Sequence, residues 1–103
     1  MRILLICAGG FSTSLLVSKM IDHANAIGDS PVIEAHAVSD LGNLIDDFDV
    51  VLLGPQIAHK LKSVKETYGH LGKPIAVIEH IDYGLVRGKE TYEKAVKMIK
   101  ENN

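Results

Sequence analysis

Residues 7–14, Cys-Ala-Gly-Gly-Phe-Ser-Thr-Ser, place the chain's single cysteine beside two glycines and a cluster of hydroxyls. The apolar run Ile3-Leu4-Leu5-Ile6 comes directly before Cys7, and a segment with helical period begins just beyond. A loop of this kind, between a strand exit and a helix start, suits an anion. Gly9 and Gly10 admit backbone angles closed to other residues, so successive N–H groups can turn inward, joined by the free donors and positive dipole end of the helix. Ser12, Thr13 and Ser14 add hydroxyl donors, and the same field favours a thiolate, the nucleophilic form of sulfur. A nucleophilic sulfur in a cradle shaped for phosphate points to a phosphocysteine. Each part also has a plainer use: cysteine as a small buried hydrophobe, glycines as turn formers, Ser and Thr as helix caps.

Spacing narrows the chemistry. The loop lacks the Gly-Lys-Ser/Thr ending of a nucleotide-binding P-loop, and no G-x-G-x-x-G occurs. Cysteine phosphatases use C-x5-R-S/T, where the arginine clamps the phosphate and stabilises the transition state. Here Thr13 stands at the arginine position, followed by Ser14, and the loop has no aspartate to protonate a leaving group. Phosphatase or arsenate reductase activity is therefore disfavoured. Neutral donors suit a carrier that must give its phosphoryl group away again.

Four apolar runs frame this loop: Ile3 to Ile6, Val32 to Val38, Val50 to Leu53 and Ile75 to Ile78, each short, branched and bounded by Gly, Pro, Asp or Ser. They predict strands. Helical spacing appears at Leu16, Met20, Ala24 and Ile27, at Ile57, Leu61, Val64 and Tyr68, and at Tyr92, Ala95, Val96 and Ile99. Leu41, Leu44 and Ile45 predict a short helix capped by Ser39 or Asp40. Alternation of strands and helices implies an α/β fold with a parallel, doubly wound sheet. Runs one and three are apolar on both faces, whereas Glu34 and His36 interrupt the second, so strands one and three are central and the order is 2-1-3-4. Ligands of such sheets bind at the carboxyl ends of the strands where the order reverses, and Cys7 falls there.

Composition sets the remaining bounds. A chain of 103 residues, 47% hydrophobic, suits one domain spanning 1–103 that needs no disulfide or metal staple. A net charge of -2 with mixed signs gives no basic stripe for nucleic acid. His23, His36, His59, His70 and His80 lack the spacing of a zinc site, so no metal is expected. The apolar run before Cys7 is too short for a signal peptide, whose core takes about 7–15 residues, and nothing approaches the roughly 20 of a membrane span. A cytoplasmic protein with a reduced thiol is expected.

Gly54, Pro55 and Gln56 follow the third strand, beside the Cys7 loop, and could border a phosphate there. Alternatively Pro55 merely opens the next helix, where its missing N–H costs nothing. His80, Asp82 and Tyr83 follow the fourth strand at the same end, as binding groups or as turn formers. His23, His36 and His70 read as surface or edge residues. Asp46, Asp47 and Asp49 lie at the opposite end of the sheet.

Taken together, "ILLICAGGFSTSLLVSKM" at 3–20, "DDFDVVLLGPQ" at 46–56 and "KPIAVIEHIDYG" at 73–84 give the chain its likeness. It resembles the IIB components of the lactose/cellobiose (N,N'-diacetylchitobiose) class of the bacterial phosphoenolpyruvate-dependent sugar phosphotransferase system over essentially its whole length. Most specific is the first motif, where members typically carry C-x-x-G-M-S-T-S. The resemblance implies a four-stranded parallel sheet similar to that of low-molecular-weight tyrosine phosphatases. It also implies that Cys7 accepts a phosphoryl group from a histidine of the IIA component and passes it to a β-linked disaccharide held by the membrane component IIC. On this likeness Ala8, Gly9, Gly10, Phe11, Ser12, Thr13 and Ser14 form the phosphate loop, no cofactor is needed beyond the covalent phosphoryl group, and contact with the membrane is only through IIC. Phe11 departs from the usual methionine, and Ala58 and His59 stand where many relatives have an arginine and an aromatic residue. Any cationic role there falls to His59, Lys60 or Lys62. Phe11 and Leu15 are candidate partner contacts. The alternatives are a regulatory IIB-like domain, which an attached DNA-binding or membrane segment would favour, and less so a phosphatase. A receiver domain is weaker still, since Gly54-Pro55 stands where it would need an aspartate. The sugar itself is not specified.

Overall fold

The computed structural model describes residues 1–8 and 11–102, the side chains of residues 11 and 12 excepted. Four parallel strands form one sheet: β1 (Arg2–Cys7), β2 (Val32–Ala37), β3 (Val50–Leu53) and β4 (Ile75–Val77), in the order β2-β1-β3-β4. The expected order is therefore the observed one. Uninterrupted burial explains it: Ile3, Leu4, Leu5 and Ile6 are fully buried, as both faces of a central parallel strand must be. Edge strand β2 tolerates Glu34 and His36, whose side chains bond each other at 2.8 Å.

Period-two alternation sends the side chains of β1 into two separate cores. Ile3 and Leu5 join Val50, Leu52 and Ile33 beneath α1 (Phe11–Ala26) and α5 (Gly88–Asn102), which contribute Leu16, Met20, Tyr92 and Ala95. Leu4 and Ile6 join Val51, Leu53 and Phe48 on the other face, with Leu41 from α2 (Leu41–Leu44) and Val64 from α3 (Leu61–Tyr68). The chain thus winds outward to β2 over one face and returns past β1 to β3 over the other. Its direction reverses between β1 and β3, at whose carboxyl ends lie Cys7 and Gly54.

Several expectations needed correction. Helix α1 stops at Ala26, and Gly28 follows in the left-handed region (φ 83), leaving Ile27 56% exposed instead of buried at the end of the helical stripe. Val38 leaves β2 for a 3-10 turn, Val38–Asp40, and neither Ser39 nor Asp40 caps α2 with its side chain, because Asp40 is itself helical in conformation. The segment predicted as one helix from Ile57 is a 3-10 run, Pro55–Lys60, broken at Ile57 (φ -116, ψ 24) before α3 begins. Beyond β4 a short helix, α4 (His80–Gly84), replaces the expected turn. The Lys73 ammonium donates to the carbonyls of Ile45 and Asp46, holding the end of the 3-10 turn Ile45–Asp47.

Candidate functional site

Cys7 is the last residue of β1, paired in register with Ala37, and is 7% exposed. Its sulfur lies 4.0 Å from the carbonyl oxygen of His36. Exposed Ala8 follows, and α1 begins at Phe11, four residues after the thiol. Gly9, Gly10 and the side chains of Phe11 and Ser12 lie outside the described residues, so the expected cradle of N–H groups is described only at its two ends.

Strand β3 delivers the second loop to the same place. The Gly54 N–H donates to the Ile6 carbonyl at 2.8 Å, prolonging the ladder beyond the last β3 residue. A Cβ on Gly54 would stand 3.7 Å from the Cys7 Cβ and 2.8 Å from Gln56 Oε1. So Gly54 touches Cys7, and the Gln56 amide folds back over Gly54. Pro55 is buried at the first position of its 3-10 run, where its missing N–H leaves nothing unpaired. His59 and Lys62 are exposed and Lys60 is half-buried; no hydrogen bond or ion pair links their side chains to this site among the described residues.

Thr13, in the first turn of α1, is 2% exposed, and its hydroxyl oxygen lies 2.9 Å from the Tyr83 hydroxyl oxygen of α4. Ser14, next to it, is exposed. Tyr83 therefore meets the first turn of α1, through Thr13. Exposed apolar residues lie two positions along the chain from this pair: Leu15 (50%) on α1, and Ile81 and Leu85 (69%) on and just after α4. Leu15 was singled out in the sequence; Ile81 and Leu85 were not.

An anchor for α4 escaped the sequence reading. Asp82 is buried, and its Oδ2 accepts from the Lys94 ammonium of α5 at 2.7 Å, while the Arg87 guanidinium stands 3.5 Å from Oδ1. Lys94 also pairs with Glu79 at 3.0 Å, and Arg87 with Glu90 at 2.8 Å. The hydrogen bond from Lys94 to Asp82, then that to Glu79, holds the ammonium above its ordinary pKa; Arg87, donating to Glu90, holds that carboxyl below its own. The clue was an acid within a turn followed by basic residues five and twelve positions later, a spacing with no meaning until α5 folds back. A cleft of about 390 Å³ runs from this cluster between β4 and α5, along the edge of the sheet farthest from β2, with Ala76, Val77 and Met98 among its walls.

A family model described as the lactose/cellobiose-specific IIB subunit of the phosphotransferase system (PTS) matches residues 2–94. The chain belongs to that IIB family. This IIB chain is 34% identical over 98 residues to the oligo-beta-mannoside-specific EIIB component of Bacillus subtilis, covering 95% of each protein. The solution structure of a cellobiose-specific IIB component from Borrelia burgdorferi superposes with a TM-score of 0.85 at 37% identity, covering 100% of this chain and 94% of that one. A lactose-specific EIICB component of Streptococcus mutans is 29% identical over 87 residues; the match covers 84% of this chain and 15% of that longer protein. The fold of this IIB chain is thus that of its relatives, the low-molecular-weight phosphatase-like sheet anticipated above. No helix among its described residues is long and apolar enough to cross a membrane.

Proposed function

We propose that this IIB component is a cytoplasmic phosphoryl carrier whose acceptor is Cys7. The thiolate attacks the phosphorus of a phosphohistidine on the IIA component in line; an S–P bond forms, the N–P bond breaks, and the histidine nitrogen leaves with the electron pair. A sugar hydroxyl presented by IIC then attacks the same phosphorus, forming the O–P bond, releasing the thiolate and giving its proton to a base. Donors of residues 8–14, with Gly54 and Gln56 at the border, stabilise the equatorial oxygens. Positioning and electrostatics supply the catalysis, as is general for phosphoryl transfer.

One observation carries this reading: Cys7 stands at the carboxyl end of a central strand, at the reversal point of the sheet, with a helix start four residues on and Gly54, just past the next central strand, beside its Cβ. Exposed Leu15 and Ile81, each two residues along the chain from the Thr13–Tyr83 pair, suit a substrate delivered on another protein, which needs a docking rim more than a deep pocket. The S. mutans relative whose name joins IIC to IIB supports IIC as the acceptor's holder. Relatives of similar likeness are named for different sugars, oligo-beta-mannoside, galactose and cellobiose, which suits selection of the sugar by IIC; the proposed acceptor is a β-linked disaccharide of the cellobiose, chitobiose or lactose type.

Intact-mass measurement after incubation with phosphoenolpyruvate, the general phosphotransferase proteins and a cognate IIA tests the proposal. One phosphoryl group is expected on the wild type and none on Cys7→Ser. An unmodified wild type beside a demonstrably active IIA would overturn it in favour of a sensory domain.

A further inference from the structure

Thr13 and Tyr83 are 70 residues apart in sequence, yet their hydroxyl oxygens are 2.9 Å apart. Thr13 is six residues after Cys7, where cysteine phosphatases place their arginine, and its side chain is buried at the start of α1. One proton lies between the two oxygens, and its owner decides what Thr13 can do. A phenol is a stronger acid than an aliphatic alcohol, so the better arrangement has the tyrosine donating and the threonine accepting. Thr13 then keeps its own proton for a third group.

Resting on the carrier reading above, we infer that Tyr83 is a positioning residue: its phenol donates to Thr13 Oγ1 and so turns the Thr13 hydroxyl proton toward the phosphoryl group carried on Cys7. The pair does with two neutral hydroxyls part of what an arginine does in a phosphatase. A neutral relay directs one donor at the phosphoryl oxygens without the full charge that would hold the group too tightly to pass on.

Both oxygens are held by structure that does not involve their own bond. Tyr83 sits in α4, its N–H on the Glu79 carbonyl at 3.0 Å and its carbonyl accepting from Val86 N–H at 3.2 Å. Its neighbour Asp82 is tied to Lys94 of α5, and the Arg87 N–H donates to the Asp82 carbonyl at 2.7 Å. Val86 lies in the left-handed region (φ 52), a conformation that a β-branched residue enters only when its surroundings impose it. On the other side, the first residue of α5, Gly88, presses on the backbone of Lys19 in α1, the helix that carries Thr13. Held in this way, the two hydroxyls need no rearrangement when the phosphoryl group arrives, the condition under which such donors contribute most.

A purely structural hydroxyl pair would affect stability alone, so the test reads chemistry. Tyr83→Phe keeps the ring and removes the donor. Phosphoryl transfer from phosphorylated IIA to Cys7 should slow about tenfold, less than the roughly hundredfold typical when a direct donor is lost, with KM for IIA unchanged. The phosphorus-31 resonance of the phosphocysteine should move as well. Thr13→Val should slow transfer at least as much, Thr13→Ser should retain most of the rate, and Tyr83→Phe/Thr13→Val should be no slower than Thr13→Val alone. Wild-type rate and an unshifted resonance in Tyr83→Phe, or additive losses in the double variant, overturn the relay while leaving the carrier intact. A wild type that takes up no phosphoryl group overturns the carrier reading itself. If Tyr83→Phe does not fold, equal rates in Thr13→Val and Thr13→Ser overturn the relay, since Thr13 would then donate nothing, and a rate lost in Thr13→Val but kept in Thr13→Ser supports it.

Discussion

Gly88 rests on Lys19 so closely that a Cβ would stand 2.5 Å from the Lys19 carbonyl carbon and 2.7 Å from its oxygen. The neighbour is backbone, which cannot swing aside as a side chain would. Gly88→Ala must push α5 away from α1 along their shared core, and overpacking of this kind costs about 1–3 kcal/mol. Urea unfolding should show the loss.

Tyr92 joins the same two helices to the far end of the sheet. Its ring is buried against α1, edge-on to His23 at 5.8 Å, and its hydroxyl donates to Asp29 at 2.8 Å. Burial first, then the bond to Asp29, pushes the phenol up to about 12 from an ordinary value of 10.0. A group whose folded pKa is raised adds stability that is complete below its unfolded value and is lost as pH rises through the folded one. Stability should therefore fall as pH climbs from about 10 to about 12. Lys94, also held up, steepens the same decline. In Tyr92→Phe the alkaline limb should be shallower, while neutral-pH stability drops by about 1–3 kcal/mol for the lost bond to a carboxylate. Denaturant unfolding across that pH range measures both.

Asp82 anchors α4, so Asp82→Ala should be felt twice. Loss of a buried, charge-assisted acceptor should cost about 1–3 kcal/mol. The freed α4 should also let Tyr83 leave Thr13, slowing phosphoryl transfer even where the variant is fully folded. Full-rate transfer in folded Asp82→Ala would show that α4 holds its place without the ion pair.

Gly54→Ala probes Gln56. Gly54 has an extended backbone open to any residue (φ -60, ψ 147), but an added Cβ would displace the Gln56 amide from 2.8 Å. Stability should change little, because a flexible side-chain end gives way. If Gln56 borders the phosphoryl site, Gly54→Ala and Gln56→Ala should slow transfer to similar extents; normal transfer in both would remove Gln56 from the site.

The strands were legible because each is a short apolar run between breakers, and their order because only β2 carries Glu34 and His36 among its apolar residues. Cys7 was legible as a candidate because strand, switch point, glycines and hydroxyls coincide within a few residues. Ile27 misled because helical spacing continues past Ala26, where the chain turns away. The short helix α4 was missed because five residues carry little periodic signal. Asp82 looked like a turn former because Lys94 reaches it only when α5 folds back.

The order of strands, the two-faced core and the place of Cys7 follow from local alternation of apolar and polar residues and from the geometry of parallel crossovers. The contacts between α1, α4 and α5 do not follow from that alternation. The meeting of Thr13 with Tyr83, of Asp82 with Lys94 and of Gly88 with the backbone of Lys19 depends on how α1, α4 and α5 pack on one face of the sheet. Such contacts depend on shape and distance between segments far apart in the chain, and residue spacing along one segment does not encode them.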